Sequence, residues 1–271
     1  MADGVVLVTG AAGGTQGQTG RRVSEALLAK GRSVRALVRK LDQRAERLRA
    51  LGADVVEGDL LDYHSVERAV QGASAVYFAY PVQPGLLEAT AIMADAARKA
   101  GVTRLIDMVM LVSSPDAPTP RMRENYLSEQ IFEWAGIGAA HVRATVFYEN
   151  MRALTAATIA RDGSILLPWG NESTMVPLVS AEDVALVAAG ALISPAVAPG
   201  STYAVIGEVL ALRDIVDTFK RVLGRNVRYQ GRIQPVDATV WLNISAGVWK
   251  ARVFLGLSFN CLATALSLAC E

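Results

Sequence analysis

Through the first 150 residues, short unbroken apolar runs alternate with stretches of helical spacing. Val5-Val-Leu-Val8 ends in Thr9-Gly10 and reads as a strand buried on both faces, because parallel strands covered by helices carry continuous β-branched runs. From Gly20 to Lys30, Val23, Ala26, Leu27 and Lys30 follow helical spacing, and Gly31 supplies a stop. The same alternation predicts strands over Val34–Val38, Ala53–Val56, Ala75–Ala79, Leu105–Val112 and His141–Phe147. It predicts helices over Arg44–Leu51, Ser65–Val70, Leu86–Ala100 and Arg123–Trp134. Strand–helix alternation at this spacing calls for right-handed crossovers, hence an α/β fold with a doubly wound parallel sheet. Ligands of such sheets sit beyond the carboxyl ends of the strands, here after Val8, Val38, Val56, Ala79, Val112 and Phe147.

Beyond residue 150 the pattern loosens. Ser180-Ala-Glu-Asp183 opens a helix over Val184–Leu192 in the manner of a capping box, with Asp183 where Glu or Gln is usual. Thr202–Ile206 reads as a strand, and Leu212–Leu223 as a helix stopped by Gly224. The expected organisation is a nucleotide-binding domain over 1–150, with 151–271 completing the sheet and forming a small C-terminal substrate lobe.

Composition removes several function classes. The 271 residues carry 27 basic against 26 acidic side chains, so there is no electrostatic footprint for nucleic acid. His64 and His141 are far apart and the two cysteines, Cys261 and Cys270, share the tail, so no metal site or disulfide framework is expected. On one helix those cysteines would stand about 13 Å apart and could not pair. No basic leader or apolar signal segment precedes Val5, which reads as cytoplasmic. Val253 to Cys270 are uncharged throughout, marginal in length for a membrane span; a buried or subunit-contact helix is the preferred reading, compatible with a homodimer or a protein partner.

Candidate chemistry starts at Val8-Thr-Gly-Ala-Ala-Gly-Gly-Thr-Gln-Gly-Gln-Thr-Gly20. Glycines let the main chain turn tightly and approach a pyrophosphate, and the helix that follows offers free N–H groups and the positive end of its dipole. An ordinary glycine-rich connection is the alternative. The loop follows a strand, opens an amphipathic helix and heads a βαβ series, which favours dinucleotide binding. Candidate contacts are Gly10, Ala11, Ala12, Gly13, Gly14, Gln16, Gly17, Gln18, Thr19 and Gly20. The second strand ends in Arg39-Lys40 with no acid before Asp42. An NAD site wants a carboxylate there, whereas Arg accommodates the 2′-phosphate, so NADP(H) is the expected cofactor.

Taken together, Gly10-Ala-Ala-Gly13, Gln18-Thr-Gly20 (with Gly14-Thr-Gln-Gly17 as an insertion), Arg35-Ala-Leu-Val-Arg39, Glu57-Gly-Asp-Leu60, Gly101-Val-Thr-Arg104, Phe147-Tyr-Glu-Asn150 and Val179-Ser-Ala-Glu-Asp183 resemble the NmrA-like branch of the atypical short-chain dehydrogenase/reductase family. The resemblance implies an NAD(P)-binding Rossmann fold. It places Asp59 and Leu60 beside the adenine, and Ala79, Tyr80 and Pro81 beside the nicotinamide ribose. Asp59 reads equally as a helix or turn cap, and Tyr80 as a half-buried aromatic.

Ordinary short-chain dehydrogenases use Tyr-x-x-x-Lys, the lysine lowering the tyrosine pKa. The only lysines are Lys30, Lys40, Lys99, Lys220 and Lys250, so that pair is excluded from the stretch leading to the sixth strand. The resemblance aligns the lone lysine of other relatives with Asn125, which can bond a ribose or carbonyl but cannot act as an acid. Tyr126 is the remaining candidate proton donor, or a packing residue. Ser113 and Ser114 follow the fifth strand as candidate nicotinamide contacts, unless Val109-Met110 is the matching pair. Phe147, Glu149 and Asn150 either contact the cofactor amide or hold the lobe's main chain. His141 reads as structural. The resemblance implies a reductase passing hydride from NADP(H) to a small carbonyl, quinone-like or conjugated substrate. Its rival is a non-catalytic NADP(H) redox sensor acting on a protein partner.

Overall fold

The apolar run Val5–Val8 forms β1, buried on both faces as its composition requires. After it come α1 (Thr19–Ala29), β2 (Val34–Val38), α2 (Gln43–Ala50), β3 (Asp54–Glu57), α3 (Tyr63–Val70) and β4 (Ala73–Phe78). The alternation continues through α4 (Leu86–Lys99), β5 (Arg104–Met110), α5 (Pro120–Ala135) and β6 (Ala139–Ala144). Short polar residues start three of these helices: Asp42, Asp62 and Thr119 each accept a main-chain N–H of the first turn, and Pro120 occupies the start of α5. The computed structural model describes residues 4–14, 18–231 and 252–255.

Further along lie β7 (Val146–Phe147), α6 (Tyr148–Asp162), β8 (Ser164–Leu167), β9 (Met175–Val179), α7 (Ala181–Ile193), β10 (Thr202–Ile206), β11 (Glu208–Ala211), α8 (Leu212–Leu223), β12 (Arg228–Gly231) and β13 (Arg252–Leu255). The main sheet has the order β13-β10-β6-β5-β4-β1-β2-β3. Pairings β1–β2, β2–β3, β1–β4 and β4–β5 are all parallel, so the order reverses between β1 and β4. This is the doubly wound arrangement expected from the alternation.

The chain folds as two compact units, 1–143 with 181–203, and 144–180 with 204–271. The first holds a core around Leu7, Val76, Phe78, Met93, Leu105 and Phe132, where helices α3, α4 and α5 bury their apolar faces. The Phe78 and Phe132 rings meet edge to face, 5.0 Å apart. The second unit has its own core around Met151, Ile165, Leu178, Ile215 and Phe219. It contains a three-stranded sheet β11-β9-β7 and a two-stranded sheet β12-β8.

Two differences from the sequence-based expectation follow. The chain does not divide once at residue 150, because α7 and the start of β10 belong to the first unit. The single strand expected over His141–Phe147 is two: β6 stops at Ala144, and Val146 and Phe147 pair in parallel with Leu178 and Val179 of β9. His141-Val-Arg-Ala-Thr-Val146 alternates polar and apolar residues without interruption, so no change of period marks the break. In the apolar tail, positions 253–255 lie in β13, not in a helix; the rest of that reading, through Cys270, lies outside the described residues.

Candidate dinucleotide site

Thr9 fastens the end of β1 to the end of β4, across the point where strand order reverses. Its N–H donates to the Tyr77 carbonyl (3.0 Å), and its hydroxyl accepts from the Ala79 N–H (2.8 Å) and donates to the Ala79 carbonyl (3.0 Å). Past Thr9 the main chain turns through Gly10 (φ +63°) and Gly13 (φ +69°), the left-handed region that favours glycine. A Cβ on Gly20 would stand 2.4 Å from the Thr9 carbonyl oxygen, so the start of α1 is pressed against the strand end. Gln18 precedes α1 with φ +59° and gives no side-chain cap; its Oε1 instead accepts from Arg21 (2.8 Å). The first turn of α1 holds no acidic residue. Among the described residues no side chain caps its first N–H groups, and the positive end of its dipole lies there, an arrangement that suits an anion. Ala11 is buried, while Gly14 has open space around it. Gln16 and Gly17 lie outside the described residues.

Tyr77 orients this helix start from beneath. Fully buried on β4, it donates its hydroxyl to Thr19 Oγ1 (2.9 Å), and burial pushes the phenol well above its ordinary pKa.

At the end of β2, Arg39 and Lys40 are exposed. An Arg39 nitrogen lies 3.2 Å from Asp59 Oδ2, and Asp59 Oδ1 accepts the Leu61 N–H (3.0 Å). Asp59 is thus a turn cap that also faces the arginine. Arg44 is a basic group the sequence reading missed. It donates to the Gly13 carbonyl (2.9 Å) while forking onto Asp42 at 2.6 and 3.2 Å. The Arg44 side chain holds the Asp42 carboxyl down to about 2. Helix spacing had assigned Arg44 to the start of α2, which is correct, but its reach to Gly13 depends on a contact 31 positions away. Near the glycine turn and the β2 end, Arg39 and Arg44 thus each meet a carboxylate, Asp59 and Asp42 respectively.

Beyond β4, Ala79 is half-buried, Tyr80 is buried and Pro81 is exposed. The Tyr80 hydroxyl donates to the Pro84 carbonyl (2.9 Å). β5 ends at Met110, two residues earlier than expected, so Ser113 and Ser114 lie in the loop that follows. Ser113 is 2% exposed and its hydroxyl has no hydrogen-bond partner. Among the described residues nothing satisfies it, so its hydrogen-bonding capacity is open to water or to a bound group. Asn125, 4% exposed, spends its amide internally: Oδ1 accepts the Met110 N–H (3.2 Å) and Nδ2 donates to the Arg121 carbonyl (2.7 Å). Through these two bonds the Asn125 amide plays a structural role. Tyr126 is half-buried within α5, and its side chain forms no hydrogen bond among the described residues. Phe147 closes β7 and precedes α6, and Glu149 and Asn150 stand in that helix's first turn, in the second unit.

His141 sits in a buried ionic group. Its Nδ1 is 3.7 Å from Asp107, its Nε2 is 3.2 Å from Glu133, and Arg143 forks onto Glu129 at 2.8 and 2.6 Å. Ser128 donates to Asp107 (3.3 Å). Burial opposes the imidazolium, but Asp107, Glu129 and Glu133 outweigh it and raise the His141 pKa; burial also raises Asp107 and Glu129. Among the described residues no three His, Cys, Asp or Glu side chains are grouped to hold a metal. No helix there is long and apolar enough to cross a membrane.

The sequence profile described as the NmrA-like family matches residues 2–244. A (4-alkanoyl-5-oxo-2,5-dihydrofuran-3-yl)methyl phosphate reductase of Streptomyces griseus subsp. griseus is 34% identical over 235 residues, covering 83% of this chain and 76% of that protein. An NAD(P)H azoreductase of Xenophilus azovorans is 27% identical over 226 residues, with the same coverage of 83% and 76%. The crystal structure of a Citrobacter sp. triphenylmethane reductase complexed with NADP(H) shares the fold, with a TM-score of 0.75 over 97% of this chain and 99% of that one at 19% identity.

Proposed function

The chain belongs to the NmrA-like family, and from that premise we propose that it is an NADP(H)-dependent reductase of a small carbonyl, quinone-like or other conjugated substrate. The observation that carries the reading is the start of α1, which has no side-chain cap, carries no acid and is pressed by Gly20 onto the end of β1. The named reductases among the relatives support it.

In this reading the turn from Gly10 to Gly20 holds the pyrophosphate by main-chain N–H groups. Arg39 and Lys40, with Arg44 behind them, take the 2′-phosphate, and Asp59 and Leu60 border the adenine. Ala79, Tyr80 and Pro81 border the nicotinamide ribose, and the Ser113 hydroxyl receives the carboxamide. When bound, NADPH supplies the hydride. No Tyr-x-x-x-Lys pair serves as acid, so the proton comes from Tyr126 or from solvent. Easily reduced acceptors such as quinones suit a site without a strong acid. The reading places the protein in the cytoplasm, and a homodimer or protein partner is compatible with it.

The test is NADPH consumption with a panel of quinones and aldehydes, alongside calorimetric titration with NADPH and NADP⁺. Turnover is expected, and Tyr126→Phe separates a tyrosine donor (activity lost) from solvent (activity kept). Binding without turnover across the panel would favour the redox sensor. Absence of heat with either form of the cofactor would sink both.

A further inference from the structure

One guanidinium gathers the loop that leaves β4. From the first turn of α5, Arg121 donates to the main-chain carbonyls of Tyr80 (3.3 Å), Pro81 (2.9 Å) and Gln83 (3.1 Å). Its Cζ stands 5.9 Å from the centre of the Tyr80 ring, and its Nε is buried with no hydrogen-bond partner among the described residues. The nearest carboxylate in the ion pairs around it, Glu124, is 3.8 Å away, so neutral carbonyl dipoles receive most of its donors. The base of the side chain is fixed as well: Asn125 holds the Arg121 carbonyl and ties the same turn to the end of β5 at Met110. Within the loop Gly85 takes φ +102°, and a Cβ there would stand 2.8 Å from the Tyr80 hydroxyl. The loop's path is thus set by Tyr80 inside it and by Arg121 across it. Half-burying a guanidinium costs solvation, and a plain packing role would be filled at lower cost by an apolar side chain. A planar fork can bind several carbonyls at once; a lysine ammonium cannot match that geometry.

We propose that Arg121 is a positioning residue that sets the nicotinamide half of the cofactor site by holding Ala79–Gln83 in place. In a doubly wound sheet the dinucleotide straddles the reversal of strand order. One half lies over the β1–β3 side and the other over β4 and β5. Arg121 touches only the second side. The inference rests on the NADP(H) reading above.

Two probes separate the halves: NADPH, and adenosine 2′,5′-bisphosphate, which carries the adenine end alone. Arg121→Ala is expected to weaken NADPH binding about tenfold or more, the scale of losing bonds to a charged donor. Affinity for the bisphosphate should stay within about twofold, because its contacts lie on the β1–β3 side. Arg121→Lys keeps the charge without the fork and is expected to recover part of the loss or none. Equal losses for both probes, no loss for either, or full recovery with lysine overturns the proposal. If the unsubstituted protein binds neither probe, the NADP(H) reading itself has failed.

Discussion

At the scale of single residues, the site is a set of main-chain positions with a few charges around them. Arg39→Ala should reduce affinity for NADPH about tenfold or more while changing NADH affinity little, because only the former carries the extra phosphate; parallel titrations check this, and equal losses would remove the argument. Gly20→Ala places a methyl 2.4 Å from the Thr9 carbonyl oxygen, a main-chain atom that cannot swing aside. It should lower stability by about 1–3 kcal/mol, read from denaturant midpoints, and weaken cofactor binding as the helix start shifts. Positions such as Gly10, Gly13, Gly20 and Arg39 were legible as candidates because the reasons for proposing them rest on local geometry and on distance along the chain. Arg44 and Arg121 were not, since their partners, Gly13 and the loop from Tyr80 to Gln83, lie 31 to 41 residues away.

At the scale of elements, α5 shows why a helix can be foreseen and its purpose missed. Its apolar spacing predicted a helix over Arg123–Trp134, within the observed Pro120–Ala135. Its buried face, however, includes Asn125, Ser128 and Glu129 beside Phe132, and each polar group is satisfied by another element. Asn125→Leu fills similar space but strands the Met110 N–H. It should destabilise the fold by about 1–3 kcal/mol, visible as a lower thermal midpoint. The β6–β7 break is the same kind of omission: the pattern from His141 to Phe147 does not record which sheet its end will join.

At the scale of the whole molecule, the buried group of Asp107, His141, Glu129 and Arg143 couples folding to pH. The folded-state pKa of His141 lies above its ordinary 6.5, and those of Asp107 and Glu129 are raised as well. Groups raised on folding stabilise most below their unfolded pKa, and the contribution fades as pH climbs through the folded value. The His141 contribution should therefore fade as pH rises above about 6.5, and those of Asp107 and Glu129 from about 4 upward. Thermal midpoints measured across that range should drop for the unsubstituted protein and flatten in His141→Gln; a midpoint that rises with pH would contradict the assignment. Taken alone, the sequence determined the doubly wound sheet, its candidate nucleotide loop and the family, because hydrophobic period and glycine placement act over a few residues at a time. Tertiary structure decided which sheet Val146 and Phe147 joined, which carbonyls Arg121 gathered, and which carboxylates surrounded His141. Those outcomes depend on which distant segments pack together, and the period of a strand or helix carries no record of its partner.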